Sequence, residues 1–198
     1  MLADWEVEIG GGAPVIEALW PGFINLRRSP ERIGEIHEAA AFPPLAALLL
    51  ALNGPASPLW TAKCDLWQPE PDRFPEPDSD PAPGFTLACY VDLLPLDTRV
   101  FAHWQLAERF CREWVALLDP VSVPQAQVEL IVRQAIAADA EGFAITAYLA
   151  ATGPDQPAAA ANLTAALVAF ACAIPANLPP KSRYQSYNGK VRASSSIG

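Results

Sequence analysis

Charged residues are scarce in this chain of 198 residues, since Asp, Glu, Lys and Arg make up only 18 % of it. Average globular proteins have about 25 %. Hydrophobic residues reach 52 %, which supports a buried core and excludes wholesale disorder. The most apolar runs, residues 45–52 and 165–174, are eight and ten residues long, whereas a bilayer-spanning helix needs about 20. The composition therefore predicts a folded, soluble protein that does not cross a membrane.

A secretory signal is also missing from the start of the chain. The first 12 residues include Asp4, Glu6 and Glu8 and lack the basic and apolar regions that such a signal needs. We therefore expect a cytoplasmic protein.

Histidine and cysteine are few, and their spacing excludes the common metal sites. The chain has two His and four Cys, with no C-x-x-C pair and no His at a ligand-like offset. Each Cys, at positions 64, 89, 111 and 172, falls in phase with the apolar positions of its strand or helix pattern. This phase is typical of buried thiols. The sequence thus predicts neither a metal site nor a bound cofactor.

Catalytic motifs are absent as well. The sequence contains no G-x-S-x-G elbow, no Walker A loop and no G-x-G-x-x-G loop, each of which would place a nucleophile or a phosphate site. The histidines, His37 and His103, lie in predicted helices beside apolar residues. These absences favour a non-catalytic protein, although they leave the question of an enzyme open.

Basic residues are rare in most of the chain and are concentrated at its end. The net charge is −9, but residues 1–155 carry all 22 acidic and nine of the 13 basic residues, a net charge of −13. The remaining bases, Lys181, Arg183, Lys190 and Arg192, lie in a Pro-rich and Ser-rich tail, residues 175–198. An acidic body argues against nucleic-acid binding. The tail is either a flexible terminus or an arm that docks on the acidic body or on a partner.

Two segments of the chain resemble each other. Residues 84–91 (GFTLACYV) align with residues 142–149 (GFAITAYL) at an offset of 58, with identical Gly, Phe and Tyr. At the same offset Asp97 aligns with Asp155, and each aspartate precedes a helical pattern. This order predicts duplicated strand–strand–helix units.

The predicted units cover residues 58–118 and 124–174. Their predicted strands and helices are bounded by Pro, Gly and N-capping Asp; they are strands 60–67, 85–94, 128–137 and 143–150, and helices 98–118 and 156–173. Residues 1–54 are predicted to hold a third copy, in which residues 15–20 and 23–26 pair through Pro21-Gly22 and residues 44–52 form a buried helix.

Together these patterns predict an α+β fold: one domain over residues 1–174, with a mostly antiparallel sheet and helices packed on one face. Residues 68–83 hold six prolines and five acids, so we expect an acidic, extended loop between two strands. Its acids do not match a calcium loop, because the required Gly and the final Glu are missing.

Strand alternation predicts which side chains share the sheet face that the helices leave open. The candidates for a ligand site or an interface on this face are Lys63, Asp65, Trp67, Tyr90, Asp92, Glu129, Arg133 and Tyr148, with Thr61 and Thr146 beside them. Mixed charges with aromatic residues are typical of a binding surface. An ordinary solvated antiparallel face shows the same alternation, so both interpretations stay open.

Two hypotheses of function follow. The first is a non-catalytic protein-binding or adaptor domain that uses the open polar face, or its acidic surface, to bind another protein or a second copy of itself. The alternative is a small-molecule-binding protein or an enzyme with a pocket on the same face. In that case Asp65, Asp92 and Glu129 could form an acid/base group, provided that burial separates their pKa values.

Overall fold

A computed structural model describes residues 1–69 and 84–175 of the chain. It contains six strands: β1 Leu2–Glu8, β2 Val15–Glu17, β3 Leu59–Trp67, β4 Phe85–Pro95, β5 Ala126–Ala137 and β6 Ala140–Gly153. The helices are a 3-10 helix, Pro30–Glu35, followed by α1 His37–Ala41, α2 Pro43–Leu52, α3 Thr98–Ala102, α4 Trp104–Leu118 and α5 Gln156–Cys172. The class is therefore α+β, as the sequence predicts.

The strands form one mixed sheet in the order β1–β5–β6–β4–β3, and β2 pairs with β5 beyond the end of β1. Strands β3 to β6 are antiparallel to their neighbours, whereas β1 and β2 both run parallel to β5. The prediction of a mostly antiparallel sheet was wrong, because the N-terminal segment enters the sheet as two parallel strands. The alternation of apolar and acidic residues in Leu2–Glu8 is a strand signal, although no strand was predicted for these residues.

Helices α4 and α5 cover one face of the sheet and bury the main core. Trp114 on α4 and Phe170 on α5 are fully buried, and their rings stack at 4.2 Å between centroids. The Trp114 indole Nε1 also donates to the backbone oxygen of Phe170 at 3.3 Å. Helix α2 packs against α5 and buries four leucines, as expected for a helix that is apolar on every side.

Both predicted N-caps are confirmed. The Asp97 carboxylate accepts from the backbone N–H of Arg99, and the Asp155 carboxylate accepts from that of Ala158. The single helix predicted over residues 98–118 is divided in two, however, because the backbone is extended at His103.

A short N-terminal segment crosses one end of the other face of the sheet. Ala18 N donates to the Ile136 oxygen on β5 at 2.9 Å, and the Trp20 indole Nε1 donates to the Ala62 oxygen on β3 at 3.1 Å. The first contact is on β5 and the second is on β3, so the segment passes over the two strands between them, β6 and β4. It covers a small second core of Ile16, Ala18, Ala62, Leu94, Ala135 and Ala144. The predicted hairpin of residues 15–20 with 23–26 is not formed, since residues 15–17 pair with β5 instead.

Strand β3 contains a β-bulge. Thr61 pairs with Leu93 and Cys64 with Val91, so Ala62 and Lys63 together lie opposite the single residue Asp92. Alternation fails across a bulge, and Thr61 is therefore buried on the helix side, where its backbone N–H donates to Asn53 Oδ1. The prediction that Thr61 lies on the open face was wrong for this reason.

Candidate functional site

The pairing of five strands brings side chains from distant parts of the chain into rows across the face opposite the helices, which we call the polar face. The central row runs from one edge of the sheet to the other through Asp4, Glu129, Tyr148, Tyr90 and Asp65. The next row contains Glu6, Ile131, Thr146 and Asp92. Seven of the eight candidate residues lie in these rows or next to them, and Lys63 lies in the bulge at the border of the face.

Three half-buried aromatic residues meet on the polar face, and we call them the aromatic cluster. The ring centroid of Trp67 is 6.2 Å from that of Tyr90 and 6.4 Å from that of Tyr148, and the two tyrosines are 5.9 Å apart. Such distances are typical of favourable tilted and edge-to-face pairs. Burial, with the nearby carboxylates of Asp92 and Asp65, raises the pKa of Tyr90 to about 12, so its hydroxyl stays protonated at neutral pH.

Arg133 links the aromatic cluster to the first strand. Its Nε and Nη2 donate to Glu8 Oε2 at 2.9 and 2.8 Å, and its Nη1 donates to the hydroxyls of Thr146 and Tyr148 at 3.2 and 3.1 Å. The guanidinium carbon also lies 5.6 Å from the ring centroid of Tyr148. Arg133 thus holds β1, β5 and β6 together on this face.

Asp92 is the buried carboxylate of the face, at 6 % exposure. Its Oδ1 accepts from the Thr146 hydroxyl at 2.7 Å. Burial raises the pKa of Asp92 above its ordinary value, and the hydrogen bond from Thr146 and the charges of Arg133 and Lys63 oppose that rise. Asp92 is therefore a hydrogen-bonded part of the sheet and has little contact with solvent.

Asp65 and Glu129, two of the three residues of the proposed acid/base group, are not neighbours. Asp65 and Glu129 lie at opposite ends of the tyrosine pair, about 14 Å apart, because three strand spacings of roughly 4.8 Å separate β3 from β5. Pairs of catalytic carboxylates usually lie about 5 to 9.5 Å apart, as in glycoside hydrolysis. The geometry therefore does not support these residues as a catalytic pair.

The polar face is acidic, whereas the sequence predicts a face of mixed charge. Strand β1 adds Asp4, Glu6 and Glu8 to the acids already predicted, and in the described strands the cations of this face are Arg133 and Lys63. Sequence reasoning missed these three acids because it did not assign a strand to residues 2–8.

A groove of about 400 Å³ runs along the acidic side of the polar face. Leu2, Asp4, Gln127, Glu129 and Tyr148 line it. It therefore lies between the edge strand β1 and the aromatic cluster.

A smaller cavity, of about 270 Å³, lies beside the bulge of β3. Trp20, His37, Glu38, Lys63 and Cys64 are among the residues that line it. Lys63 Nζ lies 5.8 Å from the Trp20 ring centroid. Burial, with a smaller contribution from Glu38, raises the pKa of the Cys64 thiol to about 12, so this cysteine is a poor nucleophile.

Two predicted features fall outside this description. The acidic loop 68–83 and the basic tail 175–198 lie outside the described residues, apart from residues 68, 69 and 175. In the described part of the chain, no helix is long and apolar enough to cross a membrane. Residues 1–69 and 84–175 also contain no group of three or more His, Cys, Asp or Glu that could hold a metal ion.

The fold and the site define an α+β domain with one sheet face covered by helices and one acidic face that bears an aromatic cluster. No protein-family model, curated protein or solved structure matches this chain.

Proposed function

We propose that this chain is a non-catalytic protein-binding domain whose polar face binds a partner with positively charged side chains. The observation that carries the proposal is the central row, in which two tyrosines lie between Glu129 on one side and Asp65 on the other. Aromatic residues are enriched in protein interfaces and among the residues that dominate binding energy. Carboxylates at both ends of such a surface attract Lys and Arg and speed encounter with a basic partner.

The contact between Arg133 and Tyr148 supports this proposal. A guanidinium already lies near one tyrosine ring of the cluster, and cation–π contacts contribute about 0.5–1 kcal/mol at exposed sites and more where they are desolvated. The other half-buried rings, Trp67 and Tyr90, offer further surface of the same kind. A second copy of the chain is a poorer partner for this face, because two acidic faces would repel each other.

A small-molecule site is the second candidate, and the groove beside β1 favours it. Its volume of about 400 Å³ falls within the range of about 300–1,000 Å³ that is usual for ligand pockets. With Asp4 and Glu129 in its lining, the groove would accept a small cation better than an anion.

We also propose that the two strand–strand–helix units arose by duplication. The arrangement that supports this is the sheet order β5–β6–β4–β3, in which the second strands of the two units are neighbours. Tyr90 and Tyr148, which the sequence alignment equates, lie directly opposite each other in that pair. Each unit also starts its helical segment at an aspartate cap.

Calorimetric titration of the full chain with an oligolysine peptide, and with an oligoglutamate peptide of the same length, tests the proposed function. We expect binding of oligolysine alone, with an affinity that falls as salt is added. The double variant Asp65→Asn, Glu129→Gln should weaken binding about tenfold, which corresponds to about 1.4 kcal/mol.

The matched control removes the same two charges from the helix layer, at Glu113 and Asp119, which are both exposed. The variant Glu113→Gln, Asp119→Asn should keep the affinity within about twofold, because more distant surface charges are screened by salt. Equal losses in the two double variants, or no binding of oligolysine at all, would overturn the proposal.

A further inference from the structure

The two edges of the sheet differ in how their backbone groups are covered. On β3, side chains from outside the strand bond the backbone at three positions. Ser57 Oγ accepts from Leu59 N, Asn53 Oδ1 accepts from Thr61 N, and the Trp20 indole donates to the Ala62 oxygen. Side-chain contacts of this kind protect an edge strand from pairing with another chain. A further strand therefore cannot pair with this part of β3 without displacing them.

The outer edge of β1 has a weaker cover than residues 59–62 of β3. In the described part of the chain no strand pairs with this edge. The backbone N–H of Trp5 points away from β5 and donates to the carboxylate of its own neighbour, Asp4, at 2.8 Å, in an exposed position. Since backbone direction repeats every two residues in a strand, Ala3 presents its backbone groups to the same side. Val7 has the same phase but is buried, so the accessible part of this edge is the part at Ala3 and Trp5. An incoming carbonyl oxygen could replace the Asp4 carboxylate without disturbing the core.

The side chains of β1 determine which strand can pair there. Asp4, Glu6 and Glu8 all project onto the polar face. Asp4 lines the groove and pairs with Glu129, whereas Glu8 is already bonded to Arg133. If β1 of a second copy paired with this edge, carboxylates would lie beside carboxylates, and like charges in neighbouring strands are destabilising. A strand with Lys or Arg at every second position would place its cations beside Asp4 and Glu6 instead.

We propose that the outer edge of β1 accepts an extended segment of a protein partner by strand addition, and that this segment carries Lys or Arg at alternate positions. The inference rests on the proposed function and adds to it the mode of binding and the pattern of the partner. The added strand forms backbone hydrogen bonds with Ala3 and Trp5, which provide affinity. Its alternate cations lie on the polar face, where Asp4 is released from Trp5 to meet them.

The test uses the full chain and synthetic peptides of about eight residues in which lysine and valine alternate, a length that matches an added strand. Two further peptides are N-methylated. In one of them every lysine amide carries a methyl group, and in the other every valine amide carries one. N-methylation removes the N–H groups on one edge of a strand only. Strand addition therefore predicts that one methylated peptide loses binding by at least about tenfold and that the other binds within about threefold of the parent.

A variant of the edge gives a second measurement. Ala3→Pro removes an outward N–H at a position where an edge strand tolerates proline, and Ala3→Val is its control of similar size. We expect the proline variant to lose affinity for the alternating peptide while it keeps its affinity for oligolysine at the aromatic cluster. Circular dichroism and thermal unfolding of both variants show whether the fold is intact.

The outcomes separate the two proposals. If both methylated peptides bind as well as the parent, or if both lose binding equally, strand addition is wrong, whereas binding of oligolysine would still support a cation-binding face. If neither the alternating peptide nor oligolysine binds, both proposals fail. A preference of the chain for a peptide with the same composition but clustered lysines would also overturn the inference.

Discussion

The ring of Phe101 on α3 occupies the place where a side chain on Gly142 would begin. A Cβ built on Gly142 would lie 2.4 Å from Phe101 Cε1 and 2.4 Å from the Phe101 backbone oxygen. Gly142 is one of the residues shared by the two similar segments of the sequence, and the structure gives it a packing role. It allows α3 to close the end of the sheet, next to the second core, against which Phe101 packs.

We therefore expect Gly142→Ala to lower the free energy of unfolding by about 1–3 kcal/mol, the usual effect of overpacking. Urea unfolding followed by tryptophan fluorescence measures this change. Gly34→Ala is the matched control, because a Cβ at position 34 would meet no atom within 4 Å. Equal stability of the two variants would show that α3 does not pack against Gly142 in solution.

Asn53 joins the end of α2 to the edge of the sheet and should be important for stability. Its Nδ2 donates to the Leu49 oxygen at 2.8 Å and to Thr61 Oγ1 at 2.7 Å, and its Oδ1 accepts from Thr61 N. Asn53→Ala leaves buried groups without partners, so we expect a loss of about 1–3 kcal/mol in the free energy of unfolding.

Asn162→Ala is the control for Asn53→Ala in the same urea unfolding experiment. Asn162 makes an exposed hydrogen bond to the Thr152 oxygen. Loss of this hydrogen bond should lower the free energy of unfolding less, because water can replace it. A loss for Asn53→Ala no larger than that for Asn162→Ala would contradict the role of this buried network.

Two aspartates should affect the pH dependence of stability in opposite directions. The folded pKa of Asp92 is raised, chiefly by burial, so its contribution to stability decreases as pH rises from the ordinary Asp range through the raised value. The pKa of Asp97 is lowered to about 2 by hydrogen bonds from Arg99. Its contribution is therefore present above the ordinary range and is lost as pH falls toward about 2.

Urea unfolding of the wild type, Asp92→Asn and Asp97→Asn at pH values from about 3 to 7 tests this expectation. The stability of Asp92→Asn relative to the wild type should rise with pH, whereas that of Asp97→Asn should fall. A difference for Asp92→Asn that stays constant with pH would show that Asp92 is not buried in its charged form.

The four cysteines should differ in the rate at which a thiol reagent labels them. Cys172, predicted to be buried, is exposed, whereas Cys89 and Cys111 are buried and Cys64 is partly buried. Burial raises the pKa of Cys64 and of Cys89 to about 12 and that of Cys111 further, so few of these thiols are present as the reactive thiolate.

With a thiol reagent such as DTNB near neutral pH, we expect one rapidly reacting cysteine in the native protein and four in denaturant. Cys172→Ser should remove the rapid reaction, and Cys111→Ser should leave it unchanged. Two or more rapid thiols in the native protein would contradict the burial described above.

Local patterns predicted most of the regular structure. The alternating segments that became β3 to β6 are bounded by Pro and Gly, and the aspartates at 97 and 155 start helical segments, so each element carried its own signals. The same alternation identified the aromatic cluster and Arg133 as neighbours on one face. Whether these residues bind a partner stays a prediction.

The features of the fold that the sequence did not predict depended on contacts between distant segments. The sequence of residues 2–8 does not indicate that they pair with β5 in the parallel direction, because the direction of pairing depends on how the chain returns to the sheet. The bulge that buries Thr61 depends on its partner strand β4 and on Asn53. The crossing of residues 18–23 over the second core depends on hydrogen bonds to two separate strands.

The sequence by itself determined the α+β class, the four antiparallel strands, the helix starts and the in–out phase of most candidate residues, since these follow from local periodicity and capping. Only the tertiary structure decided that the sheet is mixed, that one end of the polar face is covered, and that the face is acidic. The physical reason is that β1 brings three carboxylates beside Glu129 and Arg133 through pairing between residues more than 120 positions apart in the chain.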